Sequence, residues 1–230
     1  DHPSLRFFGA TRIGFSPYGL SNGTFEKPTL DGWRTRGDAR RISDFPGSEI
    51  VEGKGMAVLS TGLGFKEQSG VIEQVFCPAP GTDTLRFYWR VYSEEFQEWC
   101  GDEDHNDEFT VTVSVGGQSS RILDASVSQL CPPDQDAGFC GVCVDPDTTN
   151  CPCGGMYDDG LSLVEDLHFD VGDGDVWQTS WRELSFPLPF AGIRPVHLRF
   201  EVRDRGTACW TRRCSSTACA PSNPNLGALR

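Results

Sequence analysis

Positive charge is scarce in this chain. Its 230 residues include 33 Asp and Glu but only 20 Lys and Arg, which leaves a formal net charge of −13 and a pI near 4.6. Nucleic acids and anionic membranes, which are bound mainly through Lys and Arg, are therefore poor partners. Long apolar runs are also missing, since none approaches the roughly 20 residues that a helix needs to cross a bilayer. We expect no membrane insertion.

Helical periodicity and two common catalytic motifs are absent as well. No amphipathic helix is evident beyond a turn near residues 123–130, and the chain contains neither H-E-x-x-H nor a phosphate-binding loop. Its histidines are scattered, at positions 2, 105, 168 and 197. These absences favour a chain that is not an enzyme, and they turn attention to strands.

Strand patterns are plentiful. Every second residue is apolar in 85–93, 108–115 and 196–203, which is the period-2 pattern of half-buried strands. Many short strands separated by Gly and Pro turns predict an all-β chain that forms an antiparallel β-sandwich. The predicted strands are 56–60, 71–76, 85–93, 108–115, 120–123, 181–188 and 196–203.

A strongly acidic segment connects two of these strands. Residues 94–108 hold eight carboxylates in fifteen positions, and they repel one another unless a cation lies among them. Ca²⁺ is the natural candidate because it takes six to eight oxygen ligands, although the spacing is not that of an EF-hand. The alternative is a solvated acidic loop. We predict a structural calcium whose ligands are Glu94, Glu95, Asp104, Asn106 and Asp107.

Ten cysteines indicate an oxidising compartment. Five lie within residues 131–160, which show almost no strand pattern, so we interpret this segment as an insertion loop held by disulfides. Zinc binding by Cys140, Cys143, Cys151 and Cys153 is the alternative. Two more, Cys214 and Cys219, lie in the tail. The cysteines predicted to form disulfides are Cys77, Cys100, Cys131, Cys140, Cys143, Cys151, Cys153 and Cys209.

Several motifs resemble those of secreted bacterial jelly-roll domains of the carbohydrate-binding-module type. Residues 22–26 (NGTFE) and 30–33 (LDGW) resemble the opening of such domains, and 52–62 (EGKGMAVLSTG) resembles the strand that follows. Residues 92–96 (YSEEF) with 106–109 (NDEF) resemble the S-E-E-F…N-D-x-F signature of surface-protein domains. The resemblance implies a jelly-roll sandwich in a secreted or cell-surface protein.

The resemblance also implies boundaries and a second metal ligand. An acid near the opening motif often binds a structural calcium in such domains, which makes Glu26 a further candidate. Residues 1–20 are expected to be an N-terminal extension or a first strand, and 21–230 the jelly roll with its insertion at 131–160. Residues 211–230 depart from the family pattern, so we hypothesise either a shifted reading frame or a genuine cysteine-bearing tail.

These expectations combine into a function. We expect a non-catalytic, calcium-binding module that acts in adhesion or glycan binding, with a glycan or a surface protein as its partner. Tyr88, Tyr92 and Trp177 are candidates for stacking on sugar rings. A structural spacer, a glycoside hydrolase that uses the acidic loop and a ligand-capture domain are the alternatives. The sequence does not name the ligand.

Overall fold

A computed structural model describes most of the chain. It covers residues 6–12, 19–45, 49–61, 69–96, 106–130, 161–165, 167, 175–188 and 194–205, with side chains from residue 19 onward. No helix among these residues is long and apolar enough to cross a membrane.

The described residues form two antiparallel sheets that pack face to face, so the predicted β-sandwich is confirmed. The connections from β3 to β6 pass from one sheet to the other each time, as in a jelly roll. The elements are β1 (Arg6–Arg12), β2 (Arg34–Ile42), β3 (Met56–Ser60), β4 (Ser69–Phe76), β5 (Thr84–Ser93), β6 (Glu108–Val115), β7 (Gln118–Ser126), α1 (Val127–Leu130), β8 (Ser162–Leu163), β9 (Trp177–Gln178), β10 (Arg182–Pro187) and β11 (Val196–Arg203).

Sheet A has the order β2-β3-β1-β5, and β5 pairs on its far side with β10 and with β9, which in turn pairs with β8. Sheet B has the order β2-β4-β11-β6-β7. Residues 6–12, for which the sequence left two interpretations, therefore form a strand inside sheet A.

Strand β2 belongs to both sheets. Arg34–Gly37 pairs with β4 in sheet B, and Asp38–Ile42 pairs with β3 in sheet A. The strand changes sheet at Gly37, where φ is +62° and an added Cβ would lie 1.8 Å from the carbonyl oxygen of Ser69. Only glycine meets both conditions, the left-handed backbone and the close approach of a neighbouring strand.

The core lies between the sheets and is built from the predicted alternation. Leu85, Phe87, Trp89 and Val91 of β5 are buried against the inward side chains of β6 and β11. Phe200 lies among three aromatic rings, with its centroid 5.1 Å from that of Phe87 and further edge or stacked contacts to Trp33 and Phe109. Each such ring contributes roughly 1.5–3 kcal/mol by burial.

A second, smaller apolar cluster covers the outer face of sheet A. Tyr92 is fully buried there and packs edge-on against Phe45, with ring centroids 5.1 Å apart. Tyr92, a candidate for stacking on a sugar ring, is therefore covered by loop residues and has no exposed ring face. Tyr88 and Trp177 are half-buried.

Candidate metal centre

The end of β5 places Glu95 inside the protein. The hydroxyl oxygen of Ser93, itself fully buried, accepts a hydrogen bond from the backbone N–H of Glu95 at 2.9 Å and turns the chain out of the strand. Phe96 then enters the main core. Held between these two anchors, the side chain of Glu95 is only 2% exposed, whereas that of Glu94 is half-buried.

Asp107 forms hydrogen bonds with several elements at this end of the sandwich. It is fully buried, its Oδ2 accepts a hydrogen bond from the hydroxyl of Thr61 at 3.2 Å, and its Oδ1 accepts one from the backbone N–H of Arg205 at 3.0 Å. Its backbone carbonyl accepts from the N–H of Val127 at 3.1 Å. One residue thus joins the ends of β3 and β11 to the start of α1.

The preceding residue, Asn106, serves the same junction. Its Oδ1 accepts a hydrogen bond from the backbone N–H of Ser128 at 3.0 Å, which satisfies one of the donors left open in the first turn of α1. Ser126 and Gln129 bond each other's backbone N–H groups on the other side of that turn. The amide oxygen of Asn106 is therefore already engaged with the protein.

The predicted ligands Glu95 and Asp107 lie next to each other. Glu95 Oε2 lies 3.5 Å from the backbone nitrogen of Asp107, and both carboxyl groups are shielded from water. Two buried carboxylates cost free energy unless donors or a cation compensate them. Carboxylate oxygens are hard ligands, which suit Ca²⁺ better than they suit zinc.

The other predicted ligands of this segment are Glu94, Asp104 and Asn106. Asp104 lies outside the described residues. No group of three or more His, Cys, Asp or Glu side chains suited to a metal ion occurs in the described part of the chain. The structure thus brings together Glu95 and Asp107, flanked by Glu94 and Asn106, as the described portion of the predicted centre.

Glu26 lies in a separate turn. Its side chain is exposed, and its Oε1 accepts a hydrogen bond from the backbone N–H of Lys54 at 2.6 Å. Gly53, at a φ of +76°, makes room for it, because an added Cβ would lie 1.9 Å from Glu26 Oε1. The guanidinium of Arg41 donates to the carbonyl oxygens of Phe25 and Lys54. Arg41 therefore already supplies positive charge to these carbonyls.

The chain just before Glu26 contains a further motif that is typical of catalytic serines. Gly19–Gly23 reads G-x-S-x-G, the spacing of a nucleophile elbow. Such an elbow needs a strand before the serine and a helix after it, but here turns over 21–24 lead towards β2. The backbone of Ser21 is held by Gln74, which accepts from its N–H at 2.7 Å and donates to its carbonyl. The context is that of a docked turn, not of a catalytic serine.

Of the ten cysteines, one lies among the described residues. Cys77 follows β4, is half-buried and forms no disulfide with another described residue. The other predicted disulfide cysteines, and the insertion at 131–160 to which five of them belong, lie outside the described residues. Their pairing stays a prediction, as does the alternative of zinc.

Comparisons with known proteins found no relative. No protein-family model matches the chain, and neither the curated proteins nor the solved structures searched contain a match. We therefore infer function from the residues themselves.

Sequence reasoning missed the partners of Asp107. Thr61 and Arg205 are 46 residues before it and 98 residues after it, and nothing in their local sequence marks them. The available signal was the position of each at a strand end, since β3 was predicted to end at Ser60 and β11 at Arg203. Strand ends that share an edge of a sandwich are brought together by the fold alone.

Proposed function

We propose that this chain is a non-catalytic module of a secreted or surface-exposed bacterial protein, that it acts in adhesion or glycan binding, and that calcium binds in its Glu94–Asp107 segment. The observation that supports this best is the burial of Glu95 and Asp107 side by side at one end of a sandwich. The motifs that resemble carbohydrate-binding modules support the same proposal.

Calcium would supply positive charge at a place where the chain gathers carboxylates. Glu95 and Asp107 would be ligands through their carboxylate oxygens, with Glu94 beside them. A carboxylate oxygen that accepts one hydrogen bond keeps a second lone pair. The hydrogen bonds from Thr61 and Arg205 therefore leave lone pairs of Asp107 available to a metal ion. The role of the ion would be structural, because it would fix the turn that follows β5.

Burial of the carboxylates argues against a glycoside hydrolase. Such an enzyme presents two acids to the glycosidic bond, one on each side. Asp107 has no exposed surface and both of its oxygens accept hydrogen bonds from the protein. A sugar ring would not reach it without displacing the strand ends that Asp107 joins.

A glycan array tests the proposal when it is probed with the protein in calcium and again in chelator. We expect binding in calcium, weaker binding in chelator and no cleavage of any bound glycan. Binding of nothing under either condition would favour a structural spacer. Cleavage that Glu94→Gln or Asp107→Asn abolishes, while the variant stays folded, would establish the hydrolase.

A further inference from the structure

The outer face of sheet B presents arginines on neighbouring strands. Arg34 of β2 is paired with Glu73 of β4, which is paired in turn with Arg199 of β11. Arg36 follows Arg34 on the same face of β2, because alternate residues of a strand point the same way. Arg203 lies on this face of β11 as well. We call Arg34, Arg36, Arg199 and Arg203 the arginine face.

Two glutamates lie beneath these arginines. Glu73 accepts a hydrogen bond from Arg199 at 3.0 Å and forms an ion pair with Arg34 at 3.6 Å. Glu201 accepts from Arg199 at 3.0 Å and from Arg203 at 2.9 Å. The side chains of both glutamates are 12% exposed, but those of Arg34 and Arg203 are 79% and 53% exposed. Negative charge therefore lies against the sheet, and positive charge lies towards the solvent.

This face has the opposite charge to the rest of the chain. Among the described residues of this face, which include Arg205 with its partner Glu108, six arginines and four carboxylates leave a local excess of two positive charges, whereas the whole chain has a net charge of −13. Charges farther away than about 8 Å are largely screened at physiological ionic strength, so a ligand here responds mainly to the local charge. The residues counted are Arg34, Arg36, Arg121, Arg199, Arg203 and Arg205 against Glu73, Glu108, Asp124 and Glu201.

The arginines also keep hydrogen-bond donors for a ligand. A guanidinium has five N–H donors in a planar fork that fits carboxylate and sulfate groups. Arg36 is exposed and forms no ion pair or hydrogen bond with any described residue. Glu73 and Glu201 restrain the side chains of Arg199 and Arg203 before any ligand binds. This lowers the side-chain conformational entropy that is lost on binding.

We propose that the arginine face binds an acidic polysaccharide. Neighbouring strands are about 4.8 Å apart, so the backbones at Arg34 and Arg199, two strands apart, are separated by about 9.6 Å. This separation is similar to that of acidic groups on alternate rings of an extended glycan. Charged side chains that extend across neighbouring strands suit such a chain better than they suit one small anion. This inference rests on the proposed function and specifies its ligand: a glycan that bears carboxylate or sulfate groups.

The test is binding of the whole chain to heparin, to polygalacturonate and to neutral dextran, measured calorimetrically at two salt concentrations. We expect binding to an acidic polymer, no binding to dextran, and weaker binding at the higher salt concentration. Arg34→Gln/Arg36→Gln should weaken binding by about tenfold or more. Polygalacturonate carries carboxylates alone, whereas heparin carries sulfates as well, so binding to heparin but not to polygalacturonate would indicate a preference for sulfate.

A double variant on the other sheet is the matched control. Arg40→Gln/Arg86→Gln changes the net charge equally and removes two half-exposed arginines, each of which forms an ion pair as Arg34 does. It should leave affinity within about twofold. An equal loss in both double variants would overturn the proposal, as would unchanged binding by Arg34→Gln/Arg36→Gln. Binding to dextran alone would overturn this inference but leave the proposed function standing. Binding to no glycan would count against both, and equal affinity for single-stranded DNA would show a nonspecific cationic surface.

Discussion

Thr61 and Asp107 are joined by a hydrogen bond from the threonine hydroxyl to Asp107 Oδ2, 3.2 Å long, although they are 46 residues apart in the chain. Both residues are buried, so water cannot replace either partner. The bond connects the end of β3 in sheet A with the start of β6 in sheet B. Asp107 thus has a structural role whether or not it also binds a metal ion.

The first prediction concerns that role. Asp107→Asn keeps the shape of the side chain but puts an amide nitrogen where Thr61 or Arg205 now donates. We expect a loss of about 2–4 kcal/mol in the free energy of unfolding, because a buried donor is left without an acceptor. Urea denaturation measures it. Asp124→Asn, at an exposed ion pair with Arg121, should cost less than about 1 kcal/mol; similar losses in the two variants would contradict the prediction.

The second prediction concerns the change of sheet in β2. Gly37→Ala would place a Cβ 1.8 Å from the carbonyl oxygen of Ser69 at a φ of +62°. We expect a loss of about 3 kcal/mol or more, from strain and overpacking together. Gly117→Ala has a φ of +83° but open space around the added atom, and should cost about 1 kcal/mol. If thermal denaturation gives equal losses, the close approach at Gly37 is unimportant.

The third prediction concerns the buried cation on the outer face of sheet A. Arg90 Nε donates to the carbonyl oxygen of Thr179 at 3.0 Å, and the guanidinium lies 5.1 Å from the ring centroid of Trp181. Arg90→Ala should lower the free energy of unfolding by about 3 kcal/mol, since it leaves that carbonyl unpaired and the aromatic ring without its cation. Arg86→Ala, four residues earlier on the same strand and half-exposed, should change it by about 0.5 kcal/mol or less. Chemical denaturation of the two variants is the comparison, and equal losses would contradict it.

The fourth prediction concerns calcium. If calcium binds only the folded chain, a concentration 100 times its Kd adds about 2.7 kcal/mol of stability, which is roughly 5–10 °C in Tm for a chain of this size. The shift between chelator and calcium should disappear in Glu95→Gln and persist in Glu26→Gln, because Glu26 lies in the turn served by Arg41. Identical melting curves of the unmodified protein in chelator and calcium would refute the proposal.

The fifth prediction is a dependence of stability on pH. Burial raises the pKa of Glu201, but hydrogen bonds from Arg199 and Arg203 outweigh it, so the pKa is lower than its ordinary value of 4.5. A carboxylate with a lowered pKa stabilises the fold above the unfolded-state pKa, and this contribution is lost as pH falls through the folded-state value. The advantage of the unmodified protein over Glu201→Gln should therefore shrink below pH 4.5. Urea denaturation at several pH values checks this. A difference in the free energy of unfolding between the two proteins that grows on acidification would contradict the prediction.

Strands could be predicted where burial of one face requires an apolar residue at every second position. Residues 56–60, 108–115 and 196–203 were predicted as strands with the bounds that β3, β6 and β11 have. Strand β2 was missed because its sequence, RTRGDARRI, lacks the alternation: one of its nine residues is buried and the rest are exposed or half-buried. Its pairing with two other strands, rather than an apolar face, makes it a strand.

The candidate centre could be predicted only in part. The acidic composition of residues 94–108 pointed to Glu95 and Asp107, but composition does not distinguish a buried acid from a solvated one. That distinction came from contacts distant in sequence, such as those of Thr61 and Arg205. The arginine face was missed for a related reason, because its members come from separate strands and are neighbours only through the register of the sheet.

Strand β2 also has a mechanical consequence. In a sandwich whose layers share no strand, side-chain packing alone resists the sliding of one layer over the other. Here the backbone hydrogen bonds on both sides of Gly37 connect the layers through one continuous strand. Sliding of one layer over the other would have to break one of these two hydrogen-bond ladders, so β2 resists that motion. We infer that the two layers lose their structure together, in one cooperative step.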